Sequence, residues 1–194
     1  MRERLGGVTG LAAGVVLAAS VVVAPREAIA QAPSTSPPAA ETPGAVKGSG
    51  LPVPRFVSLK SDRVNVRQGP GTDYPAAWVF RRAGLPVEVI QEFETWRKVR
   101  DAEGTTGWVL GALLSGRRTA LVLPWEIKPG APLPQVAIRS GRSGSAGALA
   151  MIEAGVIADI SSCDGRWCSV TIGSYAGYVE QKSLWGVYEN ETVR

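Results

Sequence analysis

Residues 64–74 of the chain read VNVRQGPGTDY, and residues 136–141 read VAIRSG. In both stretches large apolar residues alternate with smaller or polar ones before a glycine, which is the pattern of a half-buried β-strand that ends in a turn. Glycine accepts positive φ and proline restricts the chain, so Gly-Pro-Gly at 69–71 predicts a stiff, tight turn. The two stretches therefore predict the same strand-and-turn unit twice.

Further matches between the two halves follow in the same order along the chain. They pair Ala83-Gly84 with Ala154-Gly155, WRKV at 96–99 with WCSV at 167–170, GWV at 107–109 with GYV at 177–179, and Leu114 with Leu184. No stretch keeps a helical period for three turns. We therefore predict an all-β protein of two tandem small β-barrels, at 55–121 and 135–194, joined by a proline-rich connector at 122–134. Because each barrel is close to the smallest size that folds alone, we expect them to share a face.

The N-terminal part of the chain differs from the rest. An uncharged apolar stretch follows Arg4, and Ala28-Ile29-Ala30 matches a signal peptidase site, so residues 1–30 are predicted to be a cleaved signal peptide. The alternative is an uncleaved membrane anchor, since about 20 apolar residues can span a bilayer. Residues 31–54 are rich in proline and alanine and are predicted to be a disordered linker. We expect a periplasmic or secreted protein with no membrane insertion after signal cleavage.

The chain resembles a known family in both halves. NVRQGPGTDY at 65–74, WRKV at 96–99 and GTTGWV at 104–109 are similar to motifs of bacterial SH3-like (SH3b) domains. Residues 56–190 also resemble a secreted two-repeat SH3-like family of unassigned function, through RRAGLPV at 81–87, CDGRWC at 163–168 and LWGVY at 184–188. The resemblance implies two SH3-like barrels outside the cytoplasm. Because such domains are often attached to cell-wall enzymes, it also implies peptidoglycan as the partner.

The composition excludes several kinds of chemistry. The 194 residues include no histidine, which removes His-activated nucleophiles and His-containing zinc sites. The net charge is +4 and no basic run exceeds the pairs Arg81-Arg82 and Arg117-Arg118, so the basic stripe of a nucleic-acid-binding protein is missing. We predict no catalytic residue, no metal, no cofactor and no nucleic-acid partner.

Carboxylates are the remaining candidates for catalysis. The acidic residues of the first half are spread over predicted turns and strand faces, at Asp62, Asp73, Glu88, Glu92, Glu94, Asp101 and Glu103. Glu88 alternates with Val87 and Val89, so we expect it to point to solvent. A glycosidase needs two carboxylates across a deep cleft, which two small barrels seldom build. A carboxylate-dependent wall hydrolase is kept as an alternative function.

Cys163 and Cys168 flank the tetrapeptide DGRW. In a hairpin with a four-residue loop they would stand opposite each other, about 4.5–5.5 Å apart, within disulfide range. Export to an oxidising compartment then predicts a disulfide that clamps the hairpin and orients Trp167, whereas two thiolates alone seldom hold a metal or form a redox pair at this spacing. Glu92 and Arg97 occupy the matching positions of the first half, where we expect a weak, exposed ion pair.

The loop at 69–75 is the candidate ligand site. We expect it to place Asp73 and Tyr74 beside an aromatic groove formed by Trp78, Trp96 and Trp108. Such grooves suit extended peptides and glycans, although tryptophans of small barrels are mostly core residues. The predicted function is an exported, non-enzymatic module that binds peptidoglycan or its stem peptides. The alternative is a periplasmic scaffold that binds an envelope protein.

Overall fold

The computed structural model describes residues 48–194. The predicted signal peptide and residues 31–47 of the predicted linker lie outside the described residues. Within 48–194 the chain forms short strands and three 3-10 segments, with no α-helix, and the predicted all-β class is confirmed. No helix in this range is long and apolar enough to cross a membrane.

The first barrel is a seven-stranded antiparallel sheet in the order β3-β2-β6-β5-β4-β1-β7. Its strands are β1 Arg55–Leu59, β2 Val64–Arg67, β3 Ala76–Phe80, β4 Pro86–Phe93, β5 Trp96–Arg100, β6 Thr106–Leu110 and β7 Leu114–Ser115. Because side chains alternate along each strand, one side of this curved sheet collects a valine-rich core that includes Val64, Val66, Val99 and Val109.

The second barrel repeats this topology in the order β10-β9-β13-β12-β11-β8-β14, with β15 paired to β11. Its strands are β8 Thr119–Val122, β9 Gln135–Arg139, β10 Ala148–Glu153, β11 Ile157–Asp164, β12 Trp167–Ile172, β13 Tyr175–Glu180, β14 Leu184–Trp185 and β15 Thr192–Val193. Its core contains Ile138, Val170 and Val179, the counterparts of Val66, Val99 and Val109. The predicted tandem arrangement is therefore confirmed.

The first strand of the second barrel is β8, which the sequence matches did not reveal. It pairs with β11 and β14 just as β1 pairs with β4 and β7. The predicted barrel boundary at 121 and the predicted connector at 122–134 are therefore wrong. Residues 123–134 are a loop inside the second barrel, and the link between the barrels is 116–118. The corresponding loop of the first barrel is much shorter. The sequence offset between β1 and β8 therefore differs from the offset that the other matching segments share.

Glu92 attaches the end of the predicted linker to the first barrel. Its carboxylate accepts hydrogen bonds from the backbone N–H of Ser49 at 2.5 Å and from the Ser49 hydroxyl at 2.7 Å. It also forms ion pairs with Arg55 at 2.5 Å and Arg97 at 2.9 Å. Residues 48–54 therefore have defined contacts, in contrast to the disorder predicted for this part of the linker.

The predicted pairing of Glu92 with Arg97 is confirmed, because the two residues are opposite each other in the register of β4 and β5. Its predicted exposure is wrong, since the side chains are only 10% and 12% exposed. Ser49 and Arg55 close over this end of the barrel, and the ion pair consequently lies in a largely desolvated cluster.

The second barrel has the predicted disulfide in the equivalent place. Cys163 and Cys168 are opposite each other in the register of β11 and β12, with Cα atoms 4.1 Å apart, and they are bonded. Both belong to the apolar core, and Val193 of β15 pairs with Cys163. A covalent bond in one barrel thus occupies the position of an ion cluster in the other.

The barrels contact each other through Glu88 and a group of aromatic side chains. The Glu88 carboxylate accepts hydrogen bonds from Arg100 at 2.8 Å and from the Tyr188 hydroxyl at 3.0 Å, and Glu88 is 2% exposed. The Phe56 ring centroid lies 4.8 Å from that of Tyr188 and 5.2 Å from that of Trp185. The predicted exposure of Glu88 is wrong, because the second barrel covers the outer face to which it points. The predicted shared face is confirmed.

Glu92→Gln is expected to make the stability of the protein less sensitive to acid. Burial raises the pKa of this carboxyl, but hydrogen bonds from Ser49 and Arg55 lower it more, from 4.5 to about 2. A pKa lowered in the folded state contributes stability above pH 4.5, which is lost as the pH falls towards 2. We expect the wild type to lose about 2 kcal/mol more than the variant over this interval, after solvent screening is discounted.

Urea denaturation at a series of pH values measures this difference. Glu153→Gln removes an exposed carboxylate and is the matched control, which should follow the wild type. Parallel stability curves for the wild type and Glu92→Gln would contradict the assigned role of Glu92.

Candidate functional site

Trp96 and Trp108 lie on the outer face of the first barrel. Val99 and Val109 point into the core, so the alternation of side chains directs both tryptophans to the opposite side of the sheet. Lys98 is the register partner of Trp108 on this face. Each tryptophan is only 9% exposed, which leaves little ring surface for a ligand.

The loop at 69–75 is shaped by Arg67 and Tyr74. The Arg67 guanidinium donates hydrogen bonds to the carbonyls of Tyr74 at 2.6 Å and Thr72 at 3.0 Å. The Tyr74 ring lies so close to Gly69 that a Cβ at this position would overlap it. Tyr74 remains 48% exposed, and Asp73 beside it is exposed. The loop is therefore held in one shape and presents both side chains at its tip.

Trp78 lies on the core side of the same barrel. It packs edge-on against Phe80, with ring centroids 6.2 Å apart, and its ring approaches Gly107 so closely that a Cβ there would lie 3.0 Å away. The five predicted residues consequently do not share one groove. Trp96 and Trp108 share the outer face, Asp73 and Tyr74 share the loop, and Trp78 points inward. Their role in ligand binding stays a prediction.

The outer face of the second barrel carries the counterparts of these residues. Trp167 and Tyr178 replace Trp96 and Trp108, and the Arg142 guanidinium lies 5.3 Å from the Tyr178 ring centroid, within cation–π range. Arg139, the counterpart of Arg67, donates to the Ala146 carbonyl at 2.7 Å. The loop at 140–147 is thus clamped as in the first barrel, with an additional cation on the aromatic face.

Two clefts of the second barrel share Trp167 as a wall. One, of about 480 Å³, is further lined by Arg142, Ser143, Gly144, Asp164 and Arg166. The other, of about 230 Å³, is further lined by Val136, Ala137, Arg139, Glu180 and Ser183. Trp167 is only 5% exposed, so the arginine side chains are the groups of these clefts that can hold a polar or acidic ligand.

The carboxylates in these clefts are paired with cations. Asp164 accepts hydrogen bonds from the backbone N–H groups of Trp167 and Arg166, which lower its pKa, and it lies 3.4 Å from Arg142. Glu180 forms an ion pair with Lys182 at 2.6 Å. A catalytic general acid requires a raised pKa, and Asp164 shows the opposite shift.

Sequence reasoning did not identify Arg139, Arg142 and Arg166 as site residues. It placed the site in the first barrel because the distinctive Gly-Pro-Gly loop lies there and the second half lacks equivalents of Pro70, Asp73 and Tyr74. The available signal was the alignment of Arg139 with Arg67, which marked an arginine common to both strand-and-turn units. The positions of Arg142 and Arg166 around Trp167 depend on how two loops approach each other, which no local pattern predicts.

The geometry defines a protein of two tandem SH3-like barrels, each with an arginine-clamped loop and an aromatic outer face. A family model described as "Bacterial SH3 domain" matches residues 60–116 and 132–186, which together are more than half of the chain. The chain belongs to the bacterial SH3 domain family and contains two copies of the domain. The resemblance seen in the sequence motifs is therefore confirmed.

Comparison with other proteins adds little to this assignment. No curated protein matches the chain significantly. Among solved structures it is similar to NlpC2 from Trichomonas vaginalis, with 14% identity, a TM-score of 0.31, and coverage of 70% of this chain and 49% of that one. NlpC1 from the same organism gives 14% identity, a TM-score of 0.30, and coverage of 72% and 48%. The chain spans about half the length of these two structures.

Proposed function

We propose that this protein is an exported, non-enzymatic binding module whose ligand is cell-wall peptidoglycan or its stem peptides. The observation that carries the proposal is the pair of clefts that share Trp167, with Arg139, Arg142 and Arg166 around them. Trp167 is only 5% exposed and forms a wall of both clefts, so the guanidinium groups are the part of the site that recognises a ligand, because they match the carboxylates of an acidic ligand. Membership in a bacterial SH3 family supports an envelope partner by analogy of fold.

Binding is favoured over hydrolysis by the state of the carboxylates. Asp164 and Glu180 are the two acids that line the clefts, and both are engaged by cations. Hydrogen bonds from the backbone N–H groups of Trp167 and Arg166 lower the pKa of Asp164, the opposite of what a general acid requires. The clefts therefore resemble a recognition surface more than the paired acid sites of a wall hydrolase.

Arg142→Glu is expected to weaken binding to purified sacculi about tenfold or more, equivalent to about 1.4 kcal/mol. The change removes a cation next to Tyr178 and places a second negative charge beside Asp164. The added carboxylate repels an acidic ligand. A pull-down with purified sacculi, quantified over a range of protein concentrations, measures the effect. Arg81→Glu makes the same charge change at an exposed position of the first barrel and should bind as the wild type does.

Tyr74→Ala tests the predicted site of the first barrel in the same assay. A loss of binding by this variant, with normal binding by Arg142→Glu, would move the ligand site to the loop at 69–75. Failure of the wild-type protein to sediment with sacculi would contradict the proposed wall partner altogether.

An envelope scaffold is the second candidate, and exposed apolar residues of the second barrel favour it. Leu149 and Met151 are 49% and 55% exposed on the edge strand β10, which pairs with a single strand, β9, among residues 48–194 and could accept a further strand on its other side. These residues belong to one barrel, whereas a scaffold that uses both barrels would need a continuous apolar patch across them.

A further inference from the structure

A third cleft lies where the N-terminal segment meets the first barrel and the link to the second. Its volume is about 430 Å³, which is within the range of small-molecule sites. Ser49 and Leu51 border it on one side, and Ser115 and Gly116 border it on another. This cleft is separate from Trp167 and from the loop at 69–75.

The charged side chains that line the cleft are all arginines. Arg55, Arg97 and Arg118 line it, and the described residues that line it include no carboxylate. The nearest acids, Glu92 and Glu191, lie outside the lining, where Glu92 pairs with Arg55 and Arg97 and Glu191 pairs with Arg118. Three guanidinium groups therefore share two carboxylates, which leaves an excess positive charge at the cleft.

The hydrogen-bonding capacity of these arginines is not fully used. The Nε–H groups of Arg55 and Arg118 are buried and have no acceptor among residues 48–194. A buried donor without an acceptor is destabilising, most of all when it belongs to a charged group. Two such donors beside one cleft indicate that an acceptor-rich anion would complete the cluster.

The remaining wall of the cleft is apolar. Leu51, Phe56 and Leu114 contribute to it, and Leu51 is 59% exposed at its edge. A ligand that matches both the arginine side and the apolar side of the cleft needs an anionic oxygen group joined to a small apolar group. The Nη–H groups of Arg55 and Arg118 already donate to Glu92 and Glu191, which leaves the two Nε–H groups, and a carboxylate is a compact anion whose two oxygens can accept one hydrogen bond from each.

We propose that this cleft binds the carboxylate terminus of a short peptide, with a small apolar side chain of that peptide against Leu51 and Leu114. The identification of that peptide as a stem peptide of the wall rests on the proposed function, whereas the carboxylate chemistry of the cleft does not. The cleft is then a second binding site, with its own ligand group.

The probe is N-acetyl-D-alanyl-D-alanine, compared with its C-terminal amide and with inorganic phosphate. Binding is followed through the Nε–Hε signals of Arg55 and Arg118 in ¹⁵N-labelled protein. We expect these signals to shift and saturate with the free acid, and the amide and phosphate to bind at least tenfold more weakly. Equal binding of acid and amide, equal binding of phosphate, or signals that do not move would each overturn the proposal.

Leu51→Glu supplies a carboxylate from the chain itself and is expected to weaken binding of the free acid at least tenfold. Leu51 is exposed, so this change should leave the fold intact. Leu133→Glu, at an exposed leucine of the loop 123–134, is the matched control and should bind normally. An unchanged affinity of Leu51→Glu would place the site elsewhere and overturn the proposal.

Two further arms separate the inference from the proposed function. N-acetyl-L-alanyl-L-alanine should bind more weakly, and equal affinity would overturn the stem-peptide identification. Retention on sacculi without saturation by the free acid would refute this cleft while the proposed function stands. Saturation by the free acid without retention on sacculi would refute the proposed function while the cleft stands.

Discussion

Gly186→Ala is expected to lower the free energy of unfolding by about 3 to 5 kcal/mol, as the sum of backbone strain and overpacking. Gly186 has φ of +129°, a conformation that residues with a Cβ rarely adopt. A Cβ at this position would also lie 2.9 Å from the Cα of Ala120 and closer still to the carbonyl oxygen of Thr119. These are backbone atoms of β8, so relief requires β8 and β14 to separate.

Gly130→Ala is the control that isolates the steric part of this effect. Gly130 also has positive φ, at +75°, but nothing lies within 4 Å of the position of its Cβ. Its substitution should cost about 1 kcal/mol from backbone strain alone. Chemical denaturation of both variants measures the difference. Similar losses for the two variants would show that the close approach of β8 to Gly186 does not occur.

Tyr188→Ala is expected to destabilise the protein by about 3 kcal/mol and to uncouple the two barrels. The change removes the aromatic contact with Phe56 and the hydrogen bond to Glu88. Glu88 then keeps Arg100 but loses its partner from the second barrel, while it remains at the interface. Since these contacts link the barrels, the wild type should unfold in one transition and the variant in two.

Tyr188→Phe separates the two contributions of this side chain. It keeps the ring and removes the hydroxyl, and a hydrogen bond to a charged group contributes about 1.5 to 3 kcal/mol. We therefore expect an intermediate loss with a single transition. Urea unfolding followed by fluorescence and by amide signals of each barrel provides the measurement. A wild-type stability for Tyr188→Ala would contradict the assigned interface.

The fold was predictable from the sequence wherever the two halves match in local pattern. The VNVR and VAIR strands, the WRKV and WCSV strands and the opposed cysteines all follow from alternation and turn chemistry, which operate over a few residues. The strand β8 was missed for a related reason. The loop at 123–134 that follows β8 is longer than its counterpart in the first barrel. A search for matches at one fixed sequence offset therefore does not align β8 with β1.

The candidate site was less predictable. The sequence pointed to aromatic residues of the first barrel, but burial decides how much of an aromatic ring a ligand can reach, and Trp96 and Trp108 are each 9% exposed. The arginine-rich clefts combine residues from distant segments, such as Arg142 with Asp164, and Arg55 with Arg118. Such combinations depend on how loops approach each other in space.

By itself the sequence determined the repeated strand-and-turn unit, the all-β class and the disulfide, because each is a property of neighbouring residues. Alternation also predicted correctly that Glu88 points away from the core of its own barrel. The tertiary structure alone decided that this outer face is covered by Tyr188 of the second barrel, which makes Glu88 a buried interface residue. A strand pattern specifies the face on which a side chain lies, but what packs on that face depends on residues a hundred positions away.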